Sequence, residues 1–307
     1  MDIFLQQIVN GLVQGSIYAL VALGYTMVYG IMGLINFAHG EVVMIGTLVT
    51  ITVAGTLIKA GMPVALAGLA GLTAAVLVCM ALGWALERVA YRPLRNAPRL
   101  TPLITAIGMS IVLQNLAMMI WGRNYLTFPS LLPKVNFELA GAHFTAIQII
   151  IVLVSAATMG GLLLLVYRTK LGMAMRATAQ NPAVASLMGV NINRVIAAAF
   201  VIGSALGALA GVMVGTYYEI AHYQMGFMLG LKAFTAAVLG GIGNLAGAML
   251  GGVLLGLIEA LGAGYIGDLT GGFLGSHYQD IFAFVVLIGV LMFKPSGLFG
   301  EKTGDRA

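Results

Sequence analysis

Nine apolar runs, near residues 8 to 30, 42 to 58, 63 to 86, 102 to 121, 146 to 167, 192 to 215, 228 to 242, 245 to 265 and 278 to 293, follow one another with little polar chain between them. Crossing a hydrocarbon core of about 30 Å as α-helix takes about 20 apolar residues, so most of these runs are long enough to span a membrane. They are too long for an outer-membrane barrel of short alternating strands. In lipid the backbone of a spanning segment finds its partners within its own helix. The expectation is an all-α polytopic membrane protein of about 8 or 9 transmembrane helices, with broken or re-entrant segments where glycine interrupts the short seventh run. Composition agrees, since 60% of the 307 residues are apolar and 8% are charged, against about a quarter charged in a soluble domain. Residues 1–307 read as a single membrane domain.

Other compositional features have plain explanations. The 42 glycines and 18 methionines suit close helix approach and gap filling, and no ligand role is read from them. The single cysteine, Cys79, lies in an apolar run, where it makes neither an internal disulfide nor a metal site alone. His143, His222 and His277 stand apart without a second ligand at useful spacing, so no metal centre is expected. Residues 1–7 hold Asp2 and no Lys or Arg, unlike a cleavable secretion signal, so the first span is expected to stay.

Charge placement orients the chain. Of the fifteen basic residues, eleven fall in three places: Arg88, Arg92, Arg95 and Arg99 in one connection, Arg168, Lys170, Arg176 and Arg194 in another, and Lys294, Lys302 and Arg306 in the tail. The positive-inside rule makes their shared side the cytoplasm, with the C-terminus there and the connection 122–145, carrying Arg123, Lys134 and Glu138, outside. Positive charges lying beside spans are explained by the membrane, and nucleic acid is not an expected partner.

The stretch 168–194 is the longest polar break toward that side and has four basic residues and no acidic one. Asn181 can cap a helix, Pro182 suits its first position and Gly189 can end it about two turns on. A short capped helix is expected, with Ala183, Ala185 and Gly189 leaving a low-relief surface for a partner. The plainer reading is a solvated loop.

Several polar residues fall where lipid would penalise them. Asn36, His39 and Glu41 lie between the first two runs without a surface-turn cluster; they read as the lining or gate of a pathway, or as the polar ends of a tight turn. Gln114, Asn115 and Asn244 are further pathway or gate candidates. Asn244 lies in the break Gly240 to Gly247, a faint echo of Asn36-Phe37-Ala38 that suggests an inverted repeat. Lys232 and Glu259 fall at similar depth in neighbouring segments and can form a buried ion pair.

What is absent bears on the energy source. The chain has no G-x-x-x-x-G-K-[ST] phosphate loop, no ladder of intramembrane carboxylates and no threonine-valine-glycine filter. A transport subunit driven by separate ATPases fits these absences, and a self-contained facilitator or ion-coupled carrier is the alternative from another class.

Gly30 to Glu41 (GIMGLINFAHGE), Met175 to Asn191, the glycine-rich Leu239 to Gly247 and the ending Phe293 to Gly300 together resemble the LivH-type permeases of bacterial branched-chain amino-acid ABC importers, over essentially the whole chain. The resemblance implies alternating-access import of leucine, isoleucine or valine across the bacterial inner membrane. The implied partners are a LivM-type second permease, two ATP-binding subunits that carry ATP and magnesium, and a periplasmic amino-acid-binding protein. No cofactor is implied on this chain, nor an enzymatic activity of its own. The implied coupling segment lies within residues 176 to 191, on Arg176, Ala179, Gln180, Asn181, Ala183, Ala185, Gly189, Val190 and Asn191; Gln180 and Asn181 stand where related permeases commonly have an acidic residue. Urea and short-chain amide permeases belong to the same wider family and remain an alternative.

Overall fold

The computed structural model describes residues 2–95, 97–98, 100–132, 135–139, 142–269 and 279–300. Arg99, Lys134, His277, Lys302 and Arg306 lie outside the described residues.

Eleven α-helices form among the described residues: α1 (Asp2–Met32), α2 (His39–Lys59), α3 (Val64–Leu86), α4 (Leu100–Trp121), α5 (Ala146–Arg168), α6 (Lys170–Gln180), α7 (Pro182–Leu187), α8 (Ile192–Tyr218), α9 (Met225–Gly240), α10 (Leu245–Leu269) and α11 (Gln279–Phe293). Seven of these, α1 to α5, α8 and α10, are long and apolar enough to cross a membrane. Each expected span is a helix, with its bounds shifted by a few residues. The seventh run is short, as expected, but not broken: α9 is continuous over 16 residues, and its glycines serve packing. The helix α3 continues through a π-helical turn, Glu87–Tyr91, and a 3-10 turn, Arg92–Leu94. Four short strands close the connections, with Leu126–Thr127 antiparallel to Ile220–Ala221 and Asn136–Leu139 antiparallel to Ala142–Thr145.

Helix α1 is the axis of the bundle. Residues 15–28 are buried without interruption, as a helix apolar on every side requires when other helices surround it. It crosses α10 through small residues, and a methyl group added at Gly15 would lie 2.7 Å from the Cα of Val253. Close backbone approach of this kind is how membrane helices gain packing energy. Helices α4 and α5 instead leave large apolar side chains outside, among them Ile104, Ile107, Leu153 and Leu164.

Two helices begin inside the bundle rather than at its ends. The chain turns back after α1, so that His39 opens α2 against Gly24, eight residues before Met32, or about 12 Å of helix. After α8 the chain turns in from the opposite end, and α9 opens against the same level of α2. Gly40 and Gly226 meet there reciprocally: a methyl on Gly40 would strike the Gly226 carbonyl, and one on Gly226 would lie 2.6 Å from the Gly40 carbonyl oxygen. From this level α2 runs beside α8, with Gly46 on Ala208 and Thr47 on Gly211. Helix α9 runs the other way, to the α10 junction. The counterpart of the first break is thus the link between α8 and α9, and not the Gly240 to Gly247 echo, which lies beside the end of α1, with Gly30 facing Gly243.

Candidate functional site

At one end of the bundle, residues 169–191 form a handle held by three caps in series. Thr169 Oγ1 accepts from the Gly172 amide at 3.1 Å, Asn181 Oδ1 from Val184 at 3.1 Å, and Asn191 Oδ1 from Arg194 at 3.1 Å. These caps open α6, α7 and α8, each satisfying an orphan amide of a first turn. Pro182 takes the first position of α7, and Gly189, at φ +85°, turns the chain out of it. A side chain would be strained at that φ. The sequence reading expects one short helix here, and the structure has two, because Thr169 is a second cap. Replacing Asn181 with Ala is expected to cost about 1 kcal/mol at α7, seen as faster amide exchange over residues 183–187.

The surface of the handle differs from the low relief expected of Ala183, Ala185 and Gly189. Ala185 is 3% exposed and packs inward, because a six-residue helix turns one face to the bundle and position 185 falls on it. Ala183 and Gly189 are exposed, as are Arg176, Ala179, Gln180, Asn181 and Asn191, while Val190 is half-buried. The outward tip is Leu187, 86% exposed, and Met188, 80% exposed. Helix α6 buries Gly172, Met175 and Thr178, and its Met175, Arg176 and Ala179 line a cleft with Thr26 and Gly30 of α1 and Gly243. The handle therefore packs on the end of the central helix and shares this cleft with the α9–α10 junction.

A second tie joins Glu87 and Asn193, which the sequence reading does not single out, to Arg92 and Arg95, which it uses only to orient the chain. Glu87, fully buried in the π-helical turn, accepts from Arg92 Nη2 at 2.7 Å and from Arg95, and Arg95 Nη1 donates to Asn193 Oδ1 at 2.6 Å. This joins the end of α3 to the first turn of α8, next to the Asn191 cap. In a regular helix, spacings of five and eight would not bring both arginines onto Glu87; the π-helical turn does.

The polar residues at the start of α2 are buried together. Tyr91 Oη donates to Asn36 Oδ1 at 2.7 Å. His39 lies edge-on to Tyr25, with ring centroids 5.0 Å apart. Its Nε2 has no hydrogen-bond partner among the described residues and lies against Gly24. Glu41 Oε1 accepts from Ser110 Oγ at 2.9 Å and Gln114 Nε2 at 2.8 Å, and its Oε2 is without a hydrogen-bond partner among the described residues beside Gly226. A buried carboxylate here faces the first turns of two helices, where the backbone dipole favours negative charge. Ser110 and Gln114 are one helical turn apart on α4, a signal the sequence carries once Glu41 is placed.

The other candidates divide. Asn115 follows Gln114 by about 100° around α4 and faces outward, so it is not part of this cluster. Asn244 is not in it either. Its Oδ1 accepts from Gly247 at 3.1 Å to cap α10, and its Nδ2 donates to the Phe299 carbonyl at 2.9 Å, clamping the tail. Lys232 and Glu259 do meet, with Nζ 3.2 Å from Oε2. Tyr18 Oη donates to the same oxygen at 2.8 Å and Gln14 Nε2 at 3.3 Å, so three helices converge on one carboxylate.

The model of the family described as branched-chain amino acid transport system, permease component, matches residues 7–291. The chain is 49% identical to the high-affinity branched-chain amino acid transport system permease protein BraD of Pseudomonas aeruginosa, covering 99% of this chain and 98% of that one. It is 46% identical to the permease protein LivH of the corresponding system of Escherichia coli K12, covering 99% and 97%. Among solved structures it is similar to PsaBC from Streptococcus pneumoniae in complex with Fab, at a TM-score of 0.45 and 14% identity, over 96% of this chain and 92% of that one.

Proposed function

Since the chain belongs to the family of permease components of branched-chain amino acid transport systems, we propose that it is a translocation subunit of an ATP-driven importer that moves leucine, isoleucine or valine across the bacterial inner membrane. ATP and magnesium act on two separate ATP-binding subunits, a second permease of the LivM type completes the membrane part, and a periplasmic receptor delivers the solute. The handle end and the C-terminus face the cytoplasm, where the basic residues gather.

One observation carries this reading: a capped handle with an apolar tip at Leu187 and Met188 stands on the end of the bundle's central helix. An apolar tip on a basic, otherwise polar segment fits a groove on a soluble partner, as a hydrophobic anchor with a charged rim does. Motion of such a partner reaches α1 through Met175, which lines the cleft with Thr26 and Gly30, and reaches α8 directly. Asn36, His39 and Glu41 then line the level at which α2 and α9 can separate, and alternating access is opening at that level, first from one side and then from the other.

The test is leucine uptake into proteoliposomes holding the assembled importer. Leu187→Asp together with Met188→Asp is expected to lower ATP-driven uptake at least ~10-fold, the equivalent of about 1.4 kcal/mol of docking energy, with the permease still inserted and folded. Leucine transport by the chain without any ATPase would overturn the proposal in favour of a self-contained carrier.

A further inference from the structure

Asn115 is an exception on the outer surface of the bundle. Away from the ends of the α-helical segments α1 to α5, α8 and α10, exposed side chains among the described residues are apolar, small or threonine, with Asn115 apart. The threonines return their single proton to their own helix, Thr52 to the Leu48 carbonyl at 2.9 Å and Thr73 to Leu69 at 2.8 Å. An amide has two N–H donors and an acceptor, and one local bond does not satisfy it. Asn115 Nδ2 donates to the Ile111 carbonyl at 2.8 Å, which leaves Oδ1 and the second N–H facing outward.

That position lies in hydrocarbon. Asn115 is six residues from the end of α4 at Trp121, or about 9 Å, and its neighbour Gln114 bonds the buried Glu41. Acyl chains offer an amide no partner. Ile104, Gly108, Ile111, Asn115 and Met119, all exposed, follow at helical spacing and make one stripe. Nothing lies within 4 Å of where a side chain on Gly108 would stand, so another backbone can come close. The opposite face of α4 is the one attached to the bundle, through Ser110, Gln114 and the Trp121 indole, whose Nε1 donates to Thr52 at 2.7 Å.

We propose that this stripe seats the second permease chain of the importer, through a helix that crosses close over Gly108 and presents a hydroxyl or amide to Asn115. The partner is a membrane-spanning chain because a soluble one cannot reach this depth, and its matching group is polar because Asn115 is. The inference rests on the reading of the chain as one of two permeases.

A photo-crosslinking residue placed at Ile111, and separately at Leu153 on the outer face of α5, tests it in the importer purified from its own membranes. The expected result is coupling of the Ile111 probe, and not of the Leu153 probe, to the second permease. Asn115→Leu is expected to weaken recovery of the permease pair about 3- to 30-fold, the range of one interhelical hydrogen bond, with Asn115→Gln retaining it. Coupling of the Ile111 probe to lipid alone, or an undiminished pair in Asn115→Leu, overturns the inference and leaves the importer reading standing. Coupling to a second copy of the same chain overturns the identity of the partner. An importer that contains no second permease overturns the two-permease reading itself.

Discussion

Glu259→Ala is expected to destabilise the bundle by about 3 to 5 kcal/mol, the usual cost of breaking a buried ion pair by removing one of its members. Glu259 is fully buried and the Lys232 side chain is 14% exposed, so water compensates little. The loss extends beyond one bond, since Tyr18 and Gln14 also direct their donors at that carboxylate. The measurement is thermal unfolding of the purified protein, followed by size-exclusion chromatography. The paired variant Lys232→Met with Glu259→Met is expected to recover most of the loss, as buried pairs exchanged for apolar side chains often do. An unfolding temperature for Glu259→Ala equal to that of the parent would remove the pair from the forces that hold α1, α9 and α10 together. Leucine uptake by the stable paired variant, at matched expression, then reports whether the pair also takes part in transport.

The second large effect concerns one methyl group. Gly40→Ala is expected to lower stability by about 1 to 3 kcal/mol, the usual cost of overpacking. The added carbon would strike the Gly226 carbonyl and lie 2.9 Å from the Gly230 Cα, and backbone atoms cannot rotate away as a side chain can. Gly55→Ala is the control on the same helix. Nothing lies within 4 Å of its added carbon, and replacing a helical glycine with alanine is expected to leave stability unchanged or raise it by up to about 1 kcal/mol. Equal unfolding temperatures for the two variants would mean that α2 and α9 do not meet at Gly40. Because the same contact sets where the two inner helices begin, Gly40→Ala is expected to depress uptake as well.

Much of this arrangement was legible in the sequence, for physical reasons that differ from feature to feature. The spans could be read because hydrocarbon sets their length, and Asn181, Pro182 and Gly189 marked α7 because capping needs only local chemistry. Lys232 and Glu259 could be paired by counting residues from the ends of two neighbouring helices. Position 169 shows the limit of this approach, since a threonine before Lys170 is a cap only if the following polar residues turn into α6.

Sidedness around each helix was not legible. Gln114 and Asn115 are neighbours of similar chemistry, yet one bonds Glu41 and the other faces outward. A surface helix of a soluble protein shows its inner face by alternating apolar and polar residues, but a membrane helix is apolar all round and loses that signal. Likewise, Asn244 reads as an echo of Asn36 in the chain and in space serves as a cap and tail clamp.

By itself, then, the sequence determined that this is a helical membrane protein with a capped polar handle, because backbone satisfaction in lipid and capping at helix ends depend on composition and local order. Only the tertiary structure decided that α2 and α9 start inside the bundle, that Ala185 faces inward while Leu187 and Met188 face outward, and that Asn115 lies on the outer surface. Those outcomes depend on which faces of apolar helices touch, and that is fixed by shape at contacts such as Gly40 with Gly226, between residues 186 positions apart.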